Sequence, residues 1–195
     1  MRINVSEFHQ YNITDTCAVW NVLSSCLLYS TARSAGCLFS ITKFVHYECL
    51  HKPRKPSAHG PILQQRLQQQ QIKGAFQSYS LTINDLQDVG MLESRKKLSK
   101  GELSSIALAR KFGQAFLTDD QKARKLAEGL MHNMVQTTPH LLGWLFFNGR
   151  LTDGDKRTII DEHVALSGQL FPYFESVYHE SLRCQLMQRK VATEI

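Results

Sequence analysis

Short apolar stretches alternate with segments of helical periodicity along this chain. The stretch "NIT" is followed at Asp15 by "TCAVWNVLSSCLLYSTARSAG", in which apolar residues recur at helical spacing up to Gly36. The apolar stretch "CLFSI" comes next, and the helical segment after it ends at Pro53. Because neighbouring parallel strands need a crossover between them, this order predicts an α/β fold with a central parallel sheet.

The second half of the chain repeats the alternation. The segment "SKGELSSIALARKFG" is predicted as a helix, and "QAFLT", "DDQKARKLAEGLM", "NMVQTT" and "PHLLGWLFFNG" as strand, helix, strand and helix in turn. A chain of 195 residues is long enough for one domain with a sizeable core. We expect a main domain over residues 1–150 and two further helices over 151–195 packed on it. The glutamine-rich segment within 53–75 has little apolar face, so we expect an exposed helical arm there.

Charge and composition narrow the classes of partner. The net charge of +6 and the pI of about 9.1 favour a polyanionic partner such as nucleic acid. No apolar run approaches the roughly 20 residues of a membrane span, and the first residues lack the apolar centre of a signal peptide. We therefore expect a cytoplasmic protein without membrane contact. The five cysteines include no C-x-x-C pair, so we expect free and mostly buried thiols rather than disulfides or a zinc site.

Acidic residues follow the predicted strands or lie near the starts of helices. Asp15 ends the first strand, and Asp119 and Asp120 end the "AFLT" strand. Glu48 lies in the helix after the second strand, and Glu102 opens the "GELSSIALA" helix. Since ligands of open parallel sheets bind outside the carboxyl ends of the strands, these acids are expected at one rim.

Clustered carboxylates have few uses. They repel each other and take up protons unless a cation compensates their charge. A hard divalent cation such as Mg²⁺ or Mn²⁺ prefers oxygen ligands, makes a bound water more acidic and neutralises charge on a phosphoryl oxygen. The cluster is therefore typical of a phosphodiester hydrolase.

Other interpretations of these residues stay open or lack support. The patterns "SKGE" and "TDDQ" are also helix-capping patterns, and Glu48 alone suits a solvated helix face. Cys17 and Cys49 lie beside the candidate acids, where packing is expected of them rather than nucleophilic attack. The chain lacks the D-x-D of haloacid-dehalogenase phosphatases, the mid-strand aspartate of receiver domains, a G-x-S-x-G and a P-loop motif.

Four segments together resemble a known family. "ITDTCAVWNVL", "ITKFVHYECLHKPR", "GELSSIALAR" and "AFLTDDQKARKLAE" are similar to the motifs of PIN domains, in particular to the PIN-like toxins of toxin–antitoxin systems. The resemblance covers roughly residues 12–150. It implies an α/β/α sandwich around a parallel sheet, and cleavage of RNA that depends on Mg²⁺ or Mn²⁺.

The resemblance also implies roles for single residues. Asp15 matches the first-strand aspartate that binds the metal, and Glu48 matches the acid of the second helix. Glu102 and Asp120 match the remaining acids, so the implied metal ligands are Asp15, Glu102 and Asp120. Asp119 falls where many relatives carry Asn or another small polar residue, and it ranks below Asp120 as a ligand.

The chain departs from the family pattern at two positions. Cys17 replaces a common Asn, and Lys122 replaces a further acid, which favours one metal site over two. The hydroxyl groups of Thr16 and Thr118 are expected to orient the acids. Four basic residues near the acids are expected to guide the phosphate backbone of RNA, namely Lys100, Lys122, Arg124 and Lys125.

Two functions remain from the sequence. The leading one is a metal-dependent endoribonuclease, with an antitoxin protein and a second copy of the chain as expected partners. In it, Glu48 orients or deprotonates the attacking water. The alternative is an inactive binding module on the same scaffold, which the lysine at position 122 slightly favours.

Overall fold

The computed structural model describes residues 4–53, 58–85, 87 and 98–193 of the chain. In this part of the chain the strands are β1 (Tyr11–Thr14), β2 (Leu38–Thr42), β3 (Gln77–Tyr79), β4 (Ala115–Leu117) and β5 (Val135–Gln136). They form one sheet in the order β3-β2-β1-β4-β5, and every neighbouring pair is parallel. The predicted α/β class with a parallel sheet is confirmed.

Helices connect the strands as the alternating sequence pattern predicts. The first half contains α1 (Thr16–Ser24), α2 (Cys26–Ser34), α3 (Lys43–Leu50) and α4 (Gly60–Ile72). The second half contains α5 (Lys100–Phe112), α6 (Gln121–Met131), a 3₁₀ turn (His132–Met134), α7 (Thr138–Phe147), α8 (Asp153–Ala165) and α9 (Phe171–Thr193).

The segment predicted as one helix after Asp15 is two helices, α1 and α2, which are separated at Ser25. Ser25 has an extended backbone, with φ −113° and ψ 122°. Its hydroxyl accepts a hydrogen bond from Leu28 N at 3.1 Å, which caps the start of α2. The apolar spacing continues across the break, so periodicity alone does not reveal it.

Helices cover both faces of the sheet. Ile13, Phe116 and Val135 pack with buried residues of α5 and α6 in one cluster. Phe39 and Ile41 of β2 pack with α1, α2, α7 and α9 in the other. Four of the five described strands, β1, β2, β4 and β5, contribute side chains to these buried layers, which is the predicted α/β/α sandwich.

The glutamine-rich helix α4 is attached to the core, which differs from the exposed arm that its composition predicts. Leu67 is fully buried in the cluster that includes α1. Arg66 Nη1 donates hydrogen bonds to the carbonyl oxygens of Leu23 at 2.7 Å and Ser24 at 2.8 Å. Leu67 and the hydrogen bonds of Arg66 thus help to dock α4 on the core, while other residues of the helix, among them Ile62 and Ile72, stay exposed. Residues 54–57 of the predicted arm lie outside the described part of the chain.

The last two helices pack on the same core. Ile159 of α8 and Phe174 and Val177 of α9 are buried in the cluster that contains α7. Ser181 Oγ in α9 donates a hydrogen bond to Gly143 O in α7 at 2.8 Å. Among the described helices, none combines the length and the apolar character that crossing a bilayer requires.

Candidate active site

The carboxyl ends of β1 and β4 lie side by side where the strand order reverses. From β1 the chain adds β2 and β3 on one side, whereas β4 and β5 lie on the other. Thr14 pairs with Leu117, so the next residues, Asp15 and Thr118, share one rim of the sheet. A crevice at such a reversal is where open α/β sheets bind ligands.

Asp15 is the most buried of the candidate acids, with no exposed surface. Its Oδ1 accepts a hydrogen bond from Ala18 N at 2.9 Å, which caps α1, and its Oδ2 accepts one from the Thr118 hydroxyl. Burial raises the pKa of Asp15 to about 8, although both hydrogen bonds lower it. The charges of Asp119 and Glu102 add to the increase. Asp15 therefore keeps a proton at neutral pH unless a cation lies beside it.

The Thr118 side chain connects the acids of the two strands. It is fully buried, and its hydroxyl donates to Asp15 and accepts a hydrogen bond from Asp120 N at 3.1 Å. Its backbone N–H donates to Gln136 O at 3.0 Å. One threonine thus fixes the first-strand acid relative to the acids after β4.

Asp119 is held through both of its carboxylate oxygens. Oδ1 accepts a hydrogen bond from Thr138 N at 2.9 Å. Oδ2 accepts from the Thr138 hydroxyl at 2.6 Å and from Asn21 Nδ2 at 2.9 Å. Burial raises the pKa of Asp119, against these hydrogen bonds and the nearby charge of Arg124. Asp119 therefore joins the end of β4 to α1 and α7.

Asp120 caps helix α6 with one of its oxygens. Oδ1 accepts hydrogen bonds from Lys122 N and Ala123 N, both at 2.8 Å. No hydrogen bond from a described residue reaches Oδ2. The two roles that the sequence left open are thus compatible at this residue, because one oxygen serves the helix and the other is left for a ligand.

Glu102 forms the predicted capping box at the start of α5. Glu102 N donates to Ser99 Oγ at 3.2 Å, and Ser99 N donates to Glu102 Oε2 at 2.8 Å. Burial is the main cause that raises the pKa of Glu102, and the charges of Asp120 and Glu48 add to it. The acid is therefore both a cap and part of a group of interacting carboxylates.

Glu48 lies over the first turn of α5. A Cβ atom at Gly101 would lie only 2.3 Å from Glu48 Oε2, so glycine is the residue that leaves room for this carboxylate. Oε2 accepts a hydrogen bond from the Thr16 hydroxyl at 2.6 Å. Oε1 accepts one from Lys52 Nζ at 3.4 Å, one helical turn further on. The close approach to Gly101 thus places Glu48 near Glu102, whose pKa it helps to raise.

The cysteines are less buried than their spacing predicts, although all five are free. Cys37 and Cys49 are buried, Cys184 is intermediate, and Cys17 and Cys26 are exposed. Desolvation is the main cause that raises the pKa of Cys17 to about 12. The charges of four carboxylates add to this increase, those of Asp15, Asp119, Glu102 and Asp120. Because the thiol stays neutral at such a pKa, Cys17 is a poor nucleophile.

The four candidate RNA-guiding residues differ in position. Lys100, Lys122 and Lys125 are exposed at the starts of α5 and α6. Arg124 is half-buried, and its charge lowers the pKa of Asp119. Its Nε lies 3.8 Å from Glu128 Oε1, a weak pair within the same helix.

The acids suit a hard divalent cation by their chemistry and by their charge. Carboxylate oxygens are the ligands that Mg²⁺ and Mn²⁺ prefer. None of the ion pairs among the described residues involves Asp15, Glu102, Asp119 or Asp120, so their charge is uncompensated by Lys or Arg contacts. No described group of three or more His, Cys, Asp or Glu side chains forms a ready metal site. Mg²⁺ commonly takes one or two carboxylates and keeps several waters, so this looser arrangement still fits it.

Four residues that hold the acids were not predicted from the sequence. Asn21 and Thr138 bind Asp119, while Gly101 makes room for Glu48 and Lys52 pairs with it. Lys52 follows Glu48 by four residues, and that spacing was the available signal. The other three have no local signal, because their partners are distant in the chain or are defined only by the packing of α3 on α5.

A family model matches a large part of this chain. The model of DUF3368, a family described as a PIN domain, matches residues 36–160, which is more than half of the chain. The matched range includes Glu48, Glu102, Asp119 and Asp120, whereas Asp15 precedes it. No curated protein matches the chain.

Proposed function

This chain belongs to the PIN domain family, whose fold is in general that of a nuclease, and on that premise we propose that it is a metal-dependent endoribonuclease. The observation that carries the proposal is Asp15, a fully buried carboxylate whose pKa is raised to about 8 beside Asp119 and Glu102. A carboxylate in such surroundings lowers stability unless a cation compensates it, and strongly raised pKa values of this kind cluster at functional sites.

Asp15, Glu102 and Asp120 are the proposed holders of Mg²⁺ or Mn²⁺, either directly or through water. When bound, the cation would supply charge neutralisation at the phosphate and a more acidic water. Asp15 is held in one orientation by Ala18 N and the Thr118 hydroxyl. Asp120 offers its second oxygen, since the first caps α6.

Glu48 is proposed to orient or deprotonate the attacking water. The Thr16 hydroxyl and Lys52 Nζ each hold one of its oxygens, which limits the rotation of the carboxylate. The water oxygen forms a bond to phosphorus while the bond from phosphorus to the 3′ oxygen breaks. Glu48 takes the water's proton, and the leaving 3′ oxygen takes a proton from solvent. The products are a 5′-phosphate and a 3′-hydroxyl.

The basic residues around the acids are proposed to position the RNA backbone. Lys100, Lys122 and Lys125 are exposed, and Arg124 is near Asp119. The net charge of +6 favours association with a polyanion. Replacing one of the exposed lysines by Gln is expected to weaken RNA binding and to reduce its salt dependence without abolishing cleavage.

The direct test compares Asp15→Asn with Asp161→Asn on a panel of cellular RNAs, with and without Mg²⁺. Asp161 lies on α8, and its side chain is 70% exposed, so it is a matched acid-to-amide control. We expect Asp15→Asn and a chelator each to lower cleavage about a hundredfold or more, because several kcal/mol of transition-state stabilisation would be lost. Cleavage that survives both treatments would show that the mechanism is wrong.

A second candidate function is a catalytically inactive binding module on the PIN scaffold. Three observations favour it: Asp119 and Asp120 have structural hydrogen bonds, Lys122 replaces an acid, and no described acidic group forms a ready metal site. Titration of Mg²⁺ with a thermal-unfolding readout separates the two functions. A nuclease is expected to be stabilised by Mg²⁺ in a way that Asp15→Asn removes, whereas a binding module shows no such response.

The proposed biological setting is that of a toxin in a toxin–antitoxin system, with a small antitoxin that covers the acids and with a second copy of the chain as partner. The first turn of α9 presents exposed Phe171 and Tyr173, while Phe174, Val177 and Tyr178 of the same helix are buried. Light scattering over a dilution series tests the dimer. A mass that stays that of one chain at every concentration contradicts it.

A further inference from the structure

A cavity of about 470 Å³ lies between α2 and α4. Leu23 and Ser25, at the end of α1, form one wall. Asp15 is at the opposite end of α1, about 13 Å away at 1.5 Å per helical residue. None of the candidate active-site acids lines the cavity, so it is a separate feature of the molecule.

Among the described residues, the charged side chains that line this cavity are all cations. They are Arg33 from α2, Arg66 from α4 and Lys73 at the end of α4, and no described Asp or Glu is part of the lining. Among the described residues none of the three forms an ion pair. Glu162 lies behind the wall, where the Ser25 hydroxyl donates to it at 2.5 Å. No described carboxylate thus contacts these three cations to balance their charge.

The two arginines have donors to spare. Arg33 Nη1 donates to Cys37 O at 3.0 Å, and Arg66 Nη1 donates to the carbonyl oxygens at the end of α1. No other nitrogen of either guanidinium donates to a described residue. Because a guanidinium carries five N–H donors in a planar fork, each arginine retains donors for an oxyanion.

The described lining also includes polar and aromatic side chains. Gln69 and Gln70 contribute amide groups, and Tyr29 contributes a ring that stacks on Phe76 at 5.7 Å between centroids. Tyr29 is 7% exposed, and its buried hydroxyl has no hydrogen-bond partner among the described residues. The lining thus adds amide groups and an aromatic ring to the three cations.

We propose that this cavity binds a phosphate-bearing ligand of about the size of a mononucleotide. Three cations without ion pairs suit a multiply charged group such as phosphate better than a single carboxylate. The volume exceeds that of the phosphate group alone and lies in the range of small-molecule sites, which leaves room for an organic part beside the glutamine amides and the tyrosine. A free nucleotide and an unpaired nucleotide of an RNA chain share this chemistry.

Cys26 provides a reporter for occupancy of the cavity. Its exposed thiol is part of the lining, whereas the partly exposed thiol of Cys184 lies on α9, outside the lining. Each thiol is alkylated with N-ethylmaleimide in the presence of EDTA, and mass spectrometry monitors the rate of alkylation. Because EDTA removes divalent cations, the result does not depend on metal-dependent nuclease activity. The probes are AMP, adenosine, inorganic phosphate and a uridine trinucleotide.

The variants are Lys73→Gln and Arg33→Gln, with Arg157→Gln as control. Arg157 is 89% exposed on α8 and outside the cavity. Lys73 is exposed and accepts substitution without loss of a described contact, so a folded variant is available even if Arg33→Gln is unstable. Each cavity variant is expected to raise the AMP concentration for half-protection about tenfold, because a charged hydrogen bond is lost.

AMP is expected to slow alkylation of Cys26 while leaving that of Cys184 unaffected, and adenosine is expected to have no effect. Protection at a much lower concentration of the trinucleotide than of AMP identifies RNA as the source of the phosphate, and the reverse order identifies a free nucleotide. The proposal is overturned if AMP and the trinucleotide fail to protect Cys26. It is also overturned if adenosine protects equally, or if protection persists in both cavity variants.

Discussion

Replacing Asp15 by Asn is expected to stabilise the metal-free protein while removing its activity. The Asn side chain can keep both contacts of the carboxylate, since its Oδ1 accepts from Ala18 N and its Nδ2 donates to the Thr118 hydroxyl. Asn is also as good a helix cap as Asp. The substitution therefore removes the buried negative charge and leaves the local structure in place.

The size of the expected stabilisation follows from the pKa of Asp15. The value rises from 3.8 to about 8 on folding, because burial and the charges of Asp119 and Glu102 disfavour the ionised form. The unfolded chain therefore loses this proton at lower pH than the folded protein does. The destabilisation is absent below pH 3.8, grows as the pH rises and is complete above about 8. At 1.36 kcal/mol for each pKa unit it amounts to at most about 6 kcal/mol.

The assay is thermal unfolding between pH 5 and 9 in EDTA, with Asp161→Asn as the exposed control. Relaxation around the buried charge reduces the effect, so we expect about 2–3 kcal/mol at pH 8 and a Tm higher by about 5–10 °C for Asp15→Asn. The advantage should shrink towards pH 5. Mg²⁺ should raise the Tm of the unmodified protein and leave that of Asp15→Asn unchanged. The reasoning is refuted if Asp15→Asn is less stable than the unmodified protein at pH 8. It is also refuted if the stabilities of the two proteins differ by the same amount at every pH.

Three further predictions concern single contacts. Gly101→Ala should push the Glu48 carboxylate aside and lower cleavage about tenfold. The Tm should stay within a few degrees of that of the unmodified protein, because alanine favours the helix. Unchanged cleavage would show that Glu48 has no part in the mechanism. Thr118→Val should cost about 2–4 kcal/mol in urea unfolding, since Asp15 and the N–H of Asp120 both lose a partner; a loss below 1 kcal/mol contradicts the bridging role. His163 has a pKa lowered to about 4 by burial, so its contribution of about 3 kcal/mol is present above pH 6.5 and is lost as the pH falls towards 4. His163→Gln should reduce the pH dependence of the free energy of unfolding between pH 6.5 and 4. An unchanged pH dependence in this range would contradict the assigned role of His163.

Local signals predicted the fold well. As its sequence pattern indicates, α5 begins at the capping box of Ser99 and ends at Gly113, which has a left-handed backbone conformation. The acids after β1 and β4 share a rim because parallel strands bring their carboxyl ends to one edge, which the strand-and-helix order already implied. Long-range contacts were predicted less well. The docking of α4 through Leu67 and Arg66 depends on a surface made by other helices, which its own composition does not describe.

The amino-acid sequence by itself determined the class of fold, the set of acidic residues and their approximate edge of the sheet. These follow from periodicity, helix caps and the geometry of parallel strands, all of which act over short stretches of chain. Only the tertiary structure decided how each acid is used. In the folded protein Asp15 is buried and accepts a hydrogen bond from Thr118, and both carboxylate oxygens of Asp119 accept hydrogen bonds from Thr138. The tertiary structure also left one oxygen of Asp120 without a described donor and placed Glu48 against Gly101. Burial, hydrogen-bond partners and neighbouring charge set the pKa of a carboxylate, and they arise from residues far apart in the chain.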